Sequence, residues 1–161
     1  MAHKPCRFAK DPMQITSRFT IAVHIITCID IFRDSETVTS AFLAGSIGAN
    51  PVIVRTVMGQ LKDAGIILSS KGKSGMDLAR SLEEITFLDI YKAVECVSGE
   101  GLFHFHEHPN MACPVGRNIH AVLGVKLAEI ETALEEKLGQ KTMAEVVRDA
   151  RIEIAKQQAA G

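Results

Sequence analysis

The chain has 161 residues, 47% hydrophobic and 23% charged, enough for one packed domain with a protruding element. Its net charge of −1 is unevenly carried: residues 13–80 hold seven Lys/Arg and five Asp/Glu, residues 81–140 four and ten, so a mildly basic half precedes an acidic one. No apolar run is long enough to span a bilayer, tryptophan is absent and tyrosine occurs once, which excludes a membrane helix and an aromatic base-stacking platform.

Residues 1–12 show no periodicity and end in Asp11-Pro12, so a flexible leader is expected there and an ordered domain from about Met13. The leader lacks the apolar core of a signal peptide. None of Cys6, Cys28, Cys96 and Cys113 forms a Cys-x-x-Cys pair, and a cytoplasmic protein with reduced thiols is expected. After a short extended start at 14–16, Ser17 to Phe32 is almost continuously apolar, with Phe19, Val23, Ile26 and Ile29 at helical spacing, which predicts a long buried helix. Ser17 and Arg18 stand at its N-terminus, where a hydroxyl and a guanidinium suit a phosphate and where Ser17 also suits an N-cap. His24 and Cys28, one turn apart, form a conceivable metal pair, although such residues in an apolar helix are more often filler.

The stretch Thr39 to Arg80 organises the chain. A short helix over about 40–46, with Thr39 as a possible N-cap and Phe42, Leu43 and Ile47 as its apolar face, ends in a turn at Gly48. A second helix starts with Asn50 as N-cap and Pro51 in the first helical position, and stops at Gly65. Val54, Val57, Met58 and Leu61 form its buried face; Val52, Arg55, Thr56 and Gly59 point the other way. Ile66 to Leu68, a tip at Lys71-Gly72-Lys73-Ser74-Gly75 and Met76 to Ala79 read as a hairpin. Together these make a helix-turn-helix followed by a wing. In such a unit the front of the second helix meets base edges in the major groove. Arg55 can fork to guanine, Val52 can touch a thymine methyl, and Gly59 lets a backbone come close. The wing-tip lysines suit phosphates. The plainer reading makes Arg55 a solvated surface arginine and Lys71 and Lys73 solubilising charges.

Ser81 to Glu95 reads as a helix opened by a Ser81–Glu84 capping box. Residues 96–113 form an irregular loop with Cys96 and Cys113, candidate redox thiols, at its ends. His104, His106 and His108 alternate between them and on an extended strand would share one side, which could gather a metal, yet the spacing fits no closed zinc motif. Pro114 opens a helix to about Leu138 with a stripe of Ile119, Leu123, Leu127, Ile130, Leu134 and Leu138, suited to pairing with a twin or to packing on its own domain. A last helix runs from Thr142 to Ala155, after which the chain is expected to fray. The fold class is mainly α with a small β wing: a winged helix-turn-helix domain over 13–95, a loop over 96–113, and a dimerisation helix plus C-terminal helix over 114–157. No phosphate loop, nucleophile elbow or usefully spaced carboxylate pair is present, and no enzyme is expected.

The order SRFTIAVHI, NPVIVRTVMGQLKDAG, a glycine-bearing wing, SLEEITFLDIYKAVE and CPVGRNI resembles the Rrf-two family of bacterial winged-helix transcription factors, to which IscR, NsrR and CymR belong, over about residues 13 to 150. The HEHPNMACPVG loop is most similar to its YwnA-like branch, which lacks a cluster. The resemblance implies a homodimeric regulator, a repressor by expectation, on a palindromic operator in double-stranded DNA. It implies that Ser17 and Arg18 touch the backbone, that Asn50, Val52 and Arg55, with Thr56 on the same face, meet bases, and that Lys71, Lys73 and Ser74 form the wing tip. Cluster-binding members carry three closely spaced cysteines before the long helix. Here Cys113 matches the last of these, no cysteine occupies 97–112, and Gly116 stands where IscR has its histidine ligand, so a [2Fe–2S] cluster is disfavoured and no cofactor is expected. The wing has fewer glycines than is usual in the family. The signal, redox or small molecule, is unspecified. The alternative function is a winged-helix protein-interaction module, or a thiol or metal sensor with weak DNA binding.

Overall fold

The computed structural model describes residues 17–70, 75–94, 103 and 105–160. The expected leader, the extended start at 14–16, the wing-tip residues Lys71, Lys73 and Ser74, and Cys96 and His104 lie outside the described residues. The elements are α1 (Ser17–Phe32), α2 (Ser40–Ile47), α3 (Pro51–Asp63), β1 (Ile67–Ser69), β2 (Met76–Leu78), α4 (Phe87–Val94), α5 (Pro114–Gly139) and α6 (Met143–Ala160). The protein is therefore mostly helical with a small antiparallel hairpin, as expected.

α1 is the hub. It is apolar on every side, and α2, α3, α4 and α6 all pack against it, so Ile25, Ile26 and Ile29 lose all contact with water. Among the described residues Asp30 is the one buried charge; its Oδ2 accepts from the Arg151 guanidinium at 2.7 Å, which ties α6 to α1. Leu43 of α2, Val54, Val57 and Leu61 of α3, and Ile66 complete the core on the other side.

The signals that bound α2 and α3 act as read. Thr39 Oγ1 accepts from the Phe42 amide at 3.2 Å, and Gly48 turns the chain at φ +67°. Asn50 Oδ1 accepts from the Val52 amide at 2.8 Å, with Pro51 in the first turn. α3 ends in a Schellman motif: the Ile66 amide donates to Leu61 O at 2.9 Å, the Gly65 amide to Lys62 O at 3.0 Å, and Gly65 takes φ +66°. In the hairpin Ile67 pairs with Leu78, Leu68 with Asp77 and Ser69 with Met76. The Met76 amide also donates to Val38 O at 3.1 Å, which seats the wing on the segment between α1 and α2.

Two helix boundaries differ from expectation. The Ser81–Glu84 pair forms, with Glu84 Oε2 accepting from the Ser81 amide and hydroxyl at 3.1 and 2.9 Å, but it closes only a turn. The helix begins at Phe87, because the backbone just before it is engaged elsewhere: Phe87 N donates to Lys141 O and Met143 N to Ile85 O, both at 2.8 Å. This bridge between Thr86 and Thr142 anchors the corner joining α5 to α6. A second capping pair then starts α4, in which Asp89 Oδ2 accepts from the Thr86 amide at 2.8 Å and Thr86 Oγ1 from the Asp89 amide at 3.1 Å. At the other end, α6 runs on to Ala160 instead of fraying after Ala155, since the added residues Lys156, Gln157, Gln158, Ala159 and Ala160 are good helix formers.

α5 packs against α4 but has no buried residue, and Val115, Val122, Val125 and Ile130 are exposed along it. Among the described residues no single helix is long and apolar enough to cross a membrane.

Candidate nucleic-acid interface

The chain bends by 117° between α2 and α3, the geometry in which a helix-turn-helix presents its second helix. Because Val54, Val57, Met58 and Leu61 are drawn into the core, Val52, Arg55, Thr56 and Gly59 are left in solvent on the opposite side of α3. Val52 is 61% exposed, far more than a valine needs for helix packing. The Thr56 hydroxyl donates to Val52 O at 2.9 Å, so its one hydrogen is held by the helix itself. The Arg55 guanidinium is exposed and has no hydrogen bond or ion pair among the described residues. It lines a shallow groove of ≈ 570 Å³ whose other walls are Ser40, Ala41, Ala44 and Gly45 of α2 with Ala49 and Pro51. That small-residue wall went unread in the sequence, where the run SAFLAGS signals only a helix.

Val52, Arg55 and Thr56 thus come together on one face, with Asn50 at its mouth. Asn50 holds its side-chain oxygen in the α3 cap, which leaves its NH₂ group, and the oxygen's second lone pair, for another partner. Ser17 and Arg18 lie on a different element, in the exposed first turn of α1, where Ser17 is the first helical residue and its carbonyl accepts from the Thr20 hydroxyl at 3.0 Å. Lys62 is drawn toward the hairpin by a 2.9 Å bond to Ser69 Oγ.

The described part of the candidate sensor loop is irregular, as expected, and no strand aligns its histidines. The His106 ring meets His120 of α5 edge-on at 4.9 Å, while His108 points into solvent from a left-handed backbone at φ +60°. His120, unremarked in the sequence, packs on Phe105 at 4.8 Å, and its Nε2 is buried without a hydrogen-bond partner among the described residues. Cys113 is the residue before Pro114 at the head of α5. Its Sγ makes no bond of capping geometry, yet the Gly116 and Val115 amides ahead of it hold the thiol below its usual range. Arg117, one turn on, donates instead to Met111 O at 3.2 Å. Cys28 is the opposite case: burial pushes its thiol up, only partly offset by the Ser46 hydroxyl at 3.5 Å. His24 Nε2 meets the same hydroxyl at 3.1 Å, so the possible metal pair is satisfied by a serine.

A profile described as "Rrf2: Iron-dependent Transcriptional regulator" matches residues 15–149. The chain is 35% identical over 133 residues to YwnA of Bacillus subtilis strain 168, provisionally named an HTH-type transcriptional regulator, covering 83% of this chain and 96% of that one. A crystal structure of a provisionally described DNA-binding protein is similar at TM-score 0.66 and 32% identity, covering 81% of this chain and 98% of the other. The fold is also that of IscR from T. potens, with TM-score 0.62 at 19% identity, over 86% of this chain and 88% of that one. Iron would need a donor set. Among the described residues no three His, Cys, Asp or Glu side chains gather, and the backbone of Asn110 leaves no room for any side chain at position 116. The described residues do not fit an iron–sulfur cluster.

Proposed function

The chain belongs to the Rrf2 family of transcriptional regulators, and on that premise we propose that it acts as a homodimer repressing transcription from a palindromic operator. It is a DNA-binding transcription regulator. The observation that supports the finer reading is the open front of α3, where Arg55, with no bond to any described residue, stands beside an exposed Val52. Paired through α5, where Ile119, Leu123, Leu127, Leu134 and Leu138 are half-buried in one chain while Val115, Val122, Val125 and Ile130 stand exposed, two copies of α3 would meet successive major grooves about 34–36 Å apart. Arg55 is assigned to a guanine edge, Asn50 and Thr56 to its flanks, Ser17 and Arg18 to phosphates, and the Lys71–Lys73–Ser74 tip to the backbone beside the site. The protein works in the cytoplasm, without iron and without catalysing a reaction. Its signal enters through the Cys113 loop at the head of the dimerisation helix.

Duplexes selected by the full-length protein from a random-sequence pool provide the test. The selected site should be a palindrome, and binding should weaken steeply with salt. Arg55→Ala should cost about 1–3 kcal/mol and relax the sequence preference at one position. Equal binding by both proteins removes Arg55 from the interface; no enrichment of any duplex defeats the operator reading.

A further inference from the structure

Resting on that reading, we propose that sequence recognition is carried by an apolar ridge, Val52–Thr56–Gly59, that reads the 5-methyl groups of thymines within two base steps of the Arg55 contact. Positions 52, 56 and 59 fall on one line along α3, opposite the buried residues. Three observations on this line agree.

Val52 exposes 61% of its surface at the first turn of the helix, where it supports nothing in the protein's own core. Thr56 stands one turn on. With its hydroxyl hydrogen held by Val52 O at 2.9 Å, what it offers a visitor is chiefly its γ-methyl. Gly59 is the third. A glycine inside a helix costs about 1 kcal/mol relative to alanine. Among the described residues outside its own stretch of helix backbone, no atom lies within 4 Å of where its Cβ would be, so their packing gives no reason for it. A reason exists if another surface presses against the ridge.

The chemistry of the ridge narrows the base edges it suits. Its one hydroxyl hydrogen is spent on Val52 O, so it has no donor free for guanine or adenine N7; the Thr56 oxygen can still accept from a base amino group, but Val52 and Gly59 offer no polar side-chain atom. The one major-groove feature that matches two methyl-bearing side chains is the thymine C5-methyl. Side chains one helical turn apart are separated by about 5–6 Å, while successive bases on a strand rise about 3.4 Å, so Val52 and Thr56 span no more than two base steps. Arg55, on the flank of the ridge that borders α2, supplies the polar contact that fixes the register.

The experiment uses full-length protein and a duplex it has selected from a random pool, synthesised once with thymine and once with deoxyuridine, which differs only by the methyl group. Wild type should bind the deoxyuridine duplex about fourfold more weakly for each contacted methyl. In a V52A/T56S protein, which keeps the inward hydroxyl, that penalty should vanish. Equal binding of both duplexes by wild type overturns the proposal while leaving DNA binding intact. So does a penalty that persists unchanged in the double variant, since the methyl would then act through DNA shape. If no duplex is enriched at all, it is the operator reading that has failed.

Discussion

The main chain of Asn110 lies so close to Gly116 that a Cβ on residue 116 would overlap its carbonyl oxygen. Asn110 folds the loop onto the head of α5, with its carbonyl accepting from the Cys113 amide at 3.1 Å and its Oδ1 from the Ala112 amide at 2.9 Å. Glycine inside a helix is normally worth replacing, but here the contact is backbone and cannot swing aside. Gly116→Ala is therefore expected to destabilise the protein by about 1–3 kcal/mol, the usual cost of overpacking, read from the urea midpoint at unchanged slope. Gly116→His should gain no iron on anaerobic purification. A Gly116→Ala protein as stable as its parent would show that the loop yields.

Gly59 predicts the reverse. Among the described residues outside its own stretch of helix backbone, nothing lies within 4 Å of its missing Cβ, so Gly59→Ala should raise stability by about 0.5–1 kcal/mol through helix propensity alone. The same methyl would stand on the surface offered to DNA, and affinity for a selected duplex should fall. Thermal unfolding and a gel-shift titration measure the two effects separately. If stability rises and affinity is untouched, the duplex does not approach α3 along this line.

The contrast between these glycines marks what the sequence could show. Asn50, Pro51 and Gly65 announce α3 because each acts on its own backbone neighbours, and α3 starts and stops where they say. The Ser81–Glu84 pair is as clear a local signal, and it misleads, because residues 85–87 are engaged by 141–143, far along the chain. The demand for glycine at 116 depends on a loop whose path no periodicity encodes. The pairing of His106 with His120 depends on the same unencoded path. The exposed face of α3 was legible as a face, whereas the inward turn of the Thr56 hydroxyl was not.

α5 offers the most direct test of assembly. Val125 is 65% exposed and Val122 lies nearly one turn before it, on a helix with no buried residue in the single chain. If a second copy covers this face, Val125→Glu places an unpaired charge in a buried interface and should shift the protein from dimer to monomer in sedimentation. Operator affinity should drop with it, since half the contacts are lost. A Val125→Glu protein that still sediments as a dimer would move the interface to another face.

Cys113 and Cys28 should part company under alkylation. The amides of Gly116 and Val115 favour the Cys113 thiolate, while burial disfavours that of Cys28. The thiolate is the reactive form. Cys113 should thus be labelled by iodoacetamide first, with a rate that rises at lower pH than for a free thiol; peptide mapping across a pH series resolves each site. Faster labelling of Cys28 would mean that α1 opens readily, contrary to its burial.

Asp89 gives stability a pH dependence whose sign follows from its surroundings. Burial pushes its carboxyl up, but the Thr86 amide and hydroxyl, each at 2.8 Å, and the Arg80 guanidinium at 3.7 Å more than offset this and hold it below the usual range. A carboxyl with a lower value folded than unfolded contributes stability in full above its unfolded value, about 3.9; the contribution fades as pH falls through the folded one. The side chain remains 35% exposed, so screening keeps the Arg80 pair small, and the capping bonds supply most of the effect. Asp89→Asn should cost about 1 kcal/mol at pH 7. Because this cap starts α4 next to the bridge that holds the α5–α6 corner, the loss should appear as easier hydrogen exchange at Phe87 and Met143 as well as a lower melting temperature. As pH falls from about 3.9 through the lowered native value, the gap between the two proteins should narrow. A gap that stays constant across that range would assign the cost of Asp89→Asn to packing and not to the carboxylate.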